Sequence, residues 1–443
     1  MDPVSRRDFV KTAGGAAVGA SLLTVGGEAA TPASGPKRRY ALIGTGDRGT
    51  SMWGSSVVKP YADVLEFVAL CDANPKRVEA GRKRIGVSCP TFTSFDEMMD
   101  KAKPDLLMVT TVDAFHSEYI VKALDRGIDV MTEKPMVIDE KQCQAVLDAE
   151  KRNNRKIVVT HNYRFAPKHR KIKETLMSGA IGNIRSVDFH WYLDTTHGAD
   201  YFRRWHRLRE RSGSLWVHKA THHFDLINWW LDSDPVEVVA RGDLDFYGKK
   251  GPFRHTHCRP CPHKSECKFY WDINKNPKMV ELYVQTEDVD GYYRDGCVFR
   301  EDVNIYDSMS ALVSYANGAT MTYSVNTFMP IEGYRLAFNG DKGRLEIRDY
   351  ERQAWTVPEE TTIDLIPNFG KPHHIAVEES TGGGHGGGDT RLKDLIFRKP
   401  AGVPAHLALP DSRAGAMSCL TGIAARKSVE EKKAIRIADL IQL

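Results

Sequence analysis

Tyr40-Ala41-Leu42-Ile43-Gly44-Thr45-Gly46-Asp47-Arg48-Gly49 is the stretch that decides the fold. Four consecutive apolar residues fit a strand buried on both faces, and the glycines that follow at once form a tight turn opening a helix. In such a turn the backbone N–H groups and the positive end of the helix dipole face outward together, which suits a pyrophosphate. Residues 67–70 read as a second strand, and Asp72 stands at its end, where a carboxylate would accept from both hydroxyls of an adenosine ribose. The same charge repels a 2′-phosphate and favours NAD, while Arg77 nearby keeps NADP open. Gly44, Thr45, Gly46, Arg48, Gly49 and Asp72 are therefore candidate cofactor contacts.

Further along, apolar runs at 106–109, 128–131 and 157–160 alternate with helical stretches, the pattern of a doubly wound parallel sheet. This predicts an α/β Rossmann domain over residues 36–160. From 161 to 443 the texture changes. Aromatic and β-branched alternation at 184–192, 236–242, 308–315 and 319–325, interrupted by a helix at 221–231, predicts an α+β domain on a largely antiparallel or mixed open sheet. A glycine-rich loop at 382–388 carries His385, and the tail from 411 reads as a closing helix and a short strand.

The 443 residues carry 62 Lys and Arg against 58 Asp and Glu, dispersed rather than clustered, so no basic stripe for nucleic acid is present. No apolar run after residue 30 approaches the roughly 20 residues that span a bilayer. At the N-terminus, Ser5-Arg6-Arg7-Asp8-Phe9-Val10-Lys11 precedes an uncharged Gly- and Ala-rich stretch at 13–25 and is similar to a twin-arginine signal. Residues 1–35 are expected to act as that signal and the rest to be periplasmic, with no further membrane association.

Glu133-Lys134-Pro135 ends one strand, Thr111 and His116 follow the strand at 106–109, and His161-Asn162-Tyr163-Arg164-Phe165, Gly213 and His222-His223-Phe224-Asp225 come later. This combination resembles the Gfo/Idh/MocA oxidoreductase family over nearly everything after the signal. The resemblance implies nicotinamide-dependent chemistry on a sugar, with Lys134 beside the nicotinamide and the substrate hydroxyl and His222 as general base. It adds Thr111, His116, Glu133, Lys134 and Asn162 to the cofactor contacts, and makes Lys134, Tyr163, Arg164, Lys219, His222 and His385 candidate substrate contacts. Oxidising a secondary alcohol removes a hydride from carbon and a proton from oxygen, so a base and a cation beside the hydroxyl make chemical sense. Many relatives carry an aspartate four residues before the histidine, where this chain has His218, followed by Lys219. His218 is thus a third catalytic candidate in a more cationic pocket.

Cys258, Cys261 and Cys267 fall within ten positions of a polar insertion at about 250–300, and Cys297 could complete four ligands. That spacing favours a metal, structural zinc or else an iron–sulfur cluster, over disulfides; the remaining cysteines read as buried thiols. A homo-oligomer is expected. Exported nicotinamide enzymes cannot draw on free cofactor, so a tightly bound dinucleotide is expected, used either by an oxidoreductase acting on a sugar or glycoside or by a redox-neutral glycosidase. Lys134 speaks for the former.

Overall fold

The computed structural model describes residues 36–353, 360–378 and 384–442. The twin-arginine segment lies outside the described residues. Residues 36–443 form one compact unit built on two sheets.

The first sheet holds β1 (Arg38–Ile43), β2 (Leu65–Cys71), β3 (Thr91–Phe92), β4 (Leu106–Val109), β5 (Asp129–Thr132) and β6 (Ile157–Val159), ordered β3-β2-β1-β4-β5-β6 and parallel throughout. Helices cover both faces, which is why β4 is apolar at every position and buried along its whole length. The helices start where the sequence offers an acceptor: Ser94 caps Phe95–Ala102 and Asp139 caps Glu140–Asn153, each taking a backbone N–H of the first turn. Strand order reverses at β1, so the loops after β1 and β4 diverge and leave a crevice at the carboxyl ends of the strands. Gly44 lies in that crevice with φ +92°, and a Cβ there would stand 2.6 Å from the Thr110 carbonyl carbon. At Gly49 a Cβ would come within 2.1 Å of the Gly44 carbonyl oxygen, so the turn closes only on glycine.

The second sheet has nine strands: β7 (Ile184–Asp194), β8 (Pro235–Asp243), β9 (Ser308–Tyr315), β10 (Thr320–Met329), β11 (Ile331–Gly340), β12 (Gly343–Gln353), β13 (Glu360–Pro367), β14 (His373–His374) and β15 (Ile435–Arg436). Among the described residues only the β7–β10 pair is parallel, so the sheet is mixed as expected. Alternation places Met321, Tyr323 and Val325 of β10 in the core, under the helices Ala220–Leu231 and Ser412–Glu431. Strands β11 to β13 were not anticipated from sequence. The insertion between β8 and β9 adds no strand to either sheet among the described residues. It is short helical turns and loops, and its stretch from Ile273 to Asp290 lies against the first domain.

Candidate active site

Chain segments far apart in sequence meet at the carboxyl end of the parallel sheet. Lys134 follows β5, and its Nζ donates to the His218 carbonyl at 3.2 Å. That carbonyl lies four residues before His222, in the short helix Leu215–His218 that leads into Ala220–Leu231. The ammonium is thereby held beside the start of the histidine helix. The His222 ring stacks on Tyr163, with centroids 4.2 Å apart and planes 11° from parallel, and its buried Nδ1 has no hydrogen-bond partner among the described residues. His385 closes the same cluster, 5.3 Å from the Tyr163 ring and 6.3 Å from His222, its Nδ1 held by Asp389 at 3.0 Å. Lys219 is buried with Nζ 4.8 Å from the Trp191 ring centroid and 5.9 Å from that of Tyr163, a cation–π placement.

Electrostatics correct the role expected for His222. Burial, then the neighbouring charges of Lys134 and Lys219, hold its imidazole well below the ordinary histidine value. A base poised near neutrality was expected, and the site gives a neutral and weakly basic ring instead. The near-neutral titration belongs to Lys134, whose ammonium burial lowers to about 8 against the attraction of Asp113 and Glu133.

His218 does reach the site, through a partner that sequence reasoning missed. Its Nδ1 lies 2.5 Å from Oδ2 of Asp113, a buried carboxyl in the loop after β4, and its ring packs 4.0 Å from that of His206. Burial raises the Asp113 carboxyl against the charges of Lys134 and Arg204, burial and then the charge of Lys134 lower the His218 imidazole, and one proton joins Nδ1 to Oδ2. Aspartate is thus present in the pocket after all, supplied by the first domain. The only sequence signal was its position between Thr111 and His116.

Other candidates turn out to hold the site together. Both nitrogens of His116 lie against carbonyl oxygens, Pro135 at 2.8 Å and Thr111 at 3.1 Å, which ties the β4 loop to the Glu-Lys-Pro turn. Arg164 is committed to Asp225 through two bonds of 2.8 and 2.6 Å, so it braces the histidine helix rather than presenting its guanidinium to a substrate. Glu133 accepts from Arg48 Nε at 2.6 Å and from Trp53 Nε1 at 2.7 Å; burial opposes its ionisation, but Arg48 prevails and keeps it a carboxylate.

The residues of the β1 turn fit a dinucleotide. The backbone cradle excludes any Cβ at Gly44 and Gly49, and the buried Asn162 donates to Asp389 while its Oδ1 has no partner among the described residues. Asp72 Oδ2 accepts from Thr45 N at 2.8 Å and from its hydroxyl at 3.1 Å, which shapes the turn, and Asn74 N donates to Oδ1. Arg77 is spoken for: it lies 3.6 Å from Asp72 and 2.7 Å from Asp290.

The zinc expectation is not met. Cys258, Cys261, Cys267 and Cys297 do border one cavity of about 10 Å³, but all are free thiols. Among the described residues no group of three or more His, Cys, Asp or Glu is placed to hold a metal ion. Two of the sulfurs meet N–H donors, Arg203 at Cys258 (3.1 Å) and the Phe299 amide at Cys297 (3.4 Å). His257 and His263 stack on Tyr293 and Phe253.

A glycine cradle at the switch point of a parallel sheet, with a lysine and a histidine gathered from two domains at its open end, defines a Rossmann-type oxidoreductase. Residues 38–161 match the NAD-binding Rossmann fold of an oxidoreductase family, and residues 173–437 match its C-terminal alpha/beta domain. The chain belongs to the Gfo/Idh/MocA oxidoreductase family. It is 39% identical over 426 residues to the protein YteT of Bacillus subtilis, covering 92% of this chain and 99% of YteT. It is also 25% identical over 183 residues to an inositol 2-dehydrogenase/D-chiro-inositol 3-dehydrogenase of Lactiplantibacillus plantarum, covering 41% of this chain and 49% of that enzyme. Among solved structures, a levoglucosan dehydrogenase in complex with NADH and levoglucosan aligns over 91% of this chain and all of its own, with a TM-score of 0.65 at 17% identity. At that identity the likeness concerns the fold.

Proposed function

We propose that the protein oxidises a secondary hydroxyl of a sugar or sugar derivative, or reduces the corresponding ketone, using NAD. The observation that carries this is the Lys134 Nζ to His218 carbonyl bond of 3.2 Å, which fixes a titratable amine of the first domain beside His222 of the second. Relatives that act on inositol support a polyhydroxylated ring as substrate. When bound, the nicotinamide supplies the hydride acceptor. Gly44, Gly46 and Gly49 would hold the pyrophosphate, Asp72 the adenosine ribose, and Asn162 Oδ1 a donor on the nicotinamide half. NAD is preferred because Asp290 neutralises Arg77, leaving Asp72 to repel a 2′-phosphate.

Lys134 takes the hydroxyl proton. At pH 8 about half of its side chain is the free amine, able to accept a proton, and the resulting ammonium steadies the alkoxide from which hydride leaves. His222, neutral and stacked on Tyr163, orients the hydroxyl by hydrogen bonding. Lys219 over Trp191 and Tyr163, with His385, forms the substrate wall.

Export through the twin-arginine route and retention of the dinucleotide belong to the same proposal, motivated by Arg6-Arg7 ahead of the Gly44-to-Gly49 turn. So does a homo-oligomer, for which the neighbouring Val239 and Leu312 on β8 and β9, 38% and 47% exposed, offer an apolar surface. The test is a panel of free sugars and aryl glycosides offered to the full-length enzyme, with reduced nicotinamide and released aglycone both recorded. Reduction with free sugars and no aglycone release is expected; aglycone release without net reduction would replace the oxidoreductase by a glycosidase.

A further inference from the structure

The insertion between β8 and β9 reaches the glycine turn after β1 and the end of β2, to which the dinucleotide reading assigns the adenosine half, and the helix that follows β2. At the phosphate turn, the Asp47 amide donates to the Tyr283 hydroxyl at 2.8 Å, and Lys278 pairs with Asp47 at 2.7 Å. Gly46 permits this approach, since a Cβ there would stand 3.1 Å from the same hydroxyl. At the end of β2, Asn74 donates to the Thr286 carbonyl (2.8 Å) and to Asp290 (3.0 Å), and Arg77 donates to the Leu282 carbonyl (3.2 Å) and pairs with Asp290. Along the helix Pro75–Ile85, Lys76 and Arg84 pair with Asp288 and Glu281. Ile273, Met279, Leu282 and Tyr283 form a small apolar cluster against Ala80, so the segment is anchored as well as charged.

We propose that Tyr283, carried on this strap from the second domain, is a cofactor-binding residue: its hydroxyl bonds the pyrophosphate and the strap slows the dinucleotide's release. The Asp47 amide belongs to the turn that faces a pyrophosphate, and its one proton goes to the phenol 2.8 Å away, so the hydroxyl takes the place of the amide toward that group. The hydroxyl accepts from the amide, so its own proton is free to be donated to a phosphate oxygen. Burial raises the Tyr283 phenol above its ordinary value, so it stays protonated for that task. The proposal rests on the dinucleotide reading above and adds to it the device that keeps the cofactor in place: departure requires displacing Tyr283 and the ion pairs around it.

The experiment is a chase. Full-length protein is loaded with NADH, mixed with excess NAD, and the loss of bound-NADH fluorescence is timed for wild type, Tyr283→Phe, and a combined Lys278→Ala, Glu281→Ala, Asp288→Ala variant. Tyr283→Phe keeps the ring and the apolar cluster and removes only the hydroxyl, and should release NADH about 10-fold faster or more. The triple variant, which leaves Tyr283 intact, should also release it faster. Equal release rates in all three proteins overturn the strap while leaving the oxidoreductase reading standing, whereas a wild type that binds no NADH overturns both.

Discussion

Replacing Lys134 by Met should raise stability and abolish catalysis together. Burial lowers the Lys134 ammonium from 10.5 to about 8. At about 1.36 kcal/mol per unit, a drop of roughly 2.5 units means that the charged side chain costs the folded state on the order of 3 kcal/mol at pH 7. Two corrections reduce the gain from removing it. The side chain keeps some exposure, so water screens part of the cost, and Met forfeits the bond to the His218 carbonyl, worth about 1 kcal/mol. A net stabilisation of about 1–2 kcal/mol remains.

The sign is set by protons bound. Between pH 8 and about 10.5 the unfolded lysine holds a proton that the folded one has released, so wild-type stability rises with pH across that window. The variant has no such term. Its advantage should therefore be full at pH 7, shrink above pH 8 and vanish or reverse near pH 10. Urea midpoints at pH 7 and pH 10 read this directly, and single-turnover hydride transfer at pH 8 should fall by about 100-fold or more. A variant less stable than wild type by the same margin at both pH values would refute the buried-cation argument. An unchanged single-turnover rate would refute the assignment of Lys134.

In wild type the oxidation rate should rise with pH through about 8 as Lys134 becomes a free amine, and in Lys134→Arg that inflection should disappear, because guanidinium does not deprotonate there; an inflection that persists moves the proton acceptor to another group. Asp113→Asn should lower kcat about 10-fold with cofactor affinity unchanged, since the amide removes both the carboxyl that meets His218 Nδ1 and a charge that attracts Lys134; a loss confined to cofactor binding would place the pair outside the substrate site. Asp290→Asn should free Arg77 and narrow the preference for NAD over NADP by about 10-fold, the effect of roughly one pKa unit of charge interaction; an unchanged preference would leave Asp72 alone as the determinant.

The first domain was legible because strands buried on both faces read as unbroken apolar runs, and the glycine turn follows one of them directly. In the second domain the strands noticed were those with clear alternation; Tyr334, Leu336 and Phe338 of β11 alternate just as well and went unread. Asp113 and Tyr283 had no comparable signal. Each acts across a gap, 105 residues from His218 and 236 from Asp47, and nothing local in a loop carboxylate or a tyrosine states which distant group it will meet. The cysteines show the converse. Their spacing suggested a ligand set, and they do gather around one cavity, but spacing does not fix where the sulfurs point.

The histidines of the pocket explain why one lysine governs its protonation. Burial comes first among the causes that hold His161 down at about 4 and His206, His218, His222 and His223 well below the ordinary value, and the charge of Lys134 adds to it in each case. Rings crowded this way cannot share several positive charges, because each added proton would raise the cost of the next. They stay neutral through the physiological range and serve as hydrogen-bonding and stacking surfaces. Lys134 differs in having the attraction of Asp113 and Glu133 to offset part of its burial. That offset leaves its titration near pH 8, close enough to neutrality for the same amine to take a proton from a hydroxyl in one direction and return it to an alkoxide in the other.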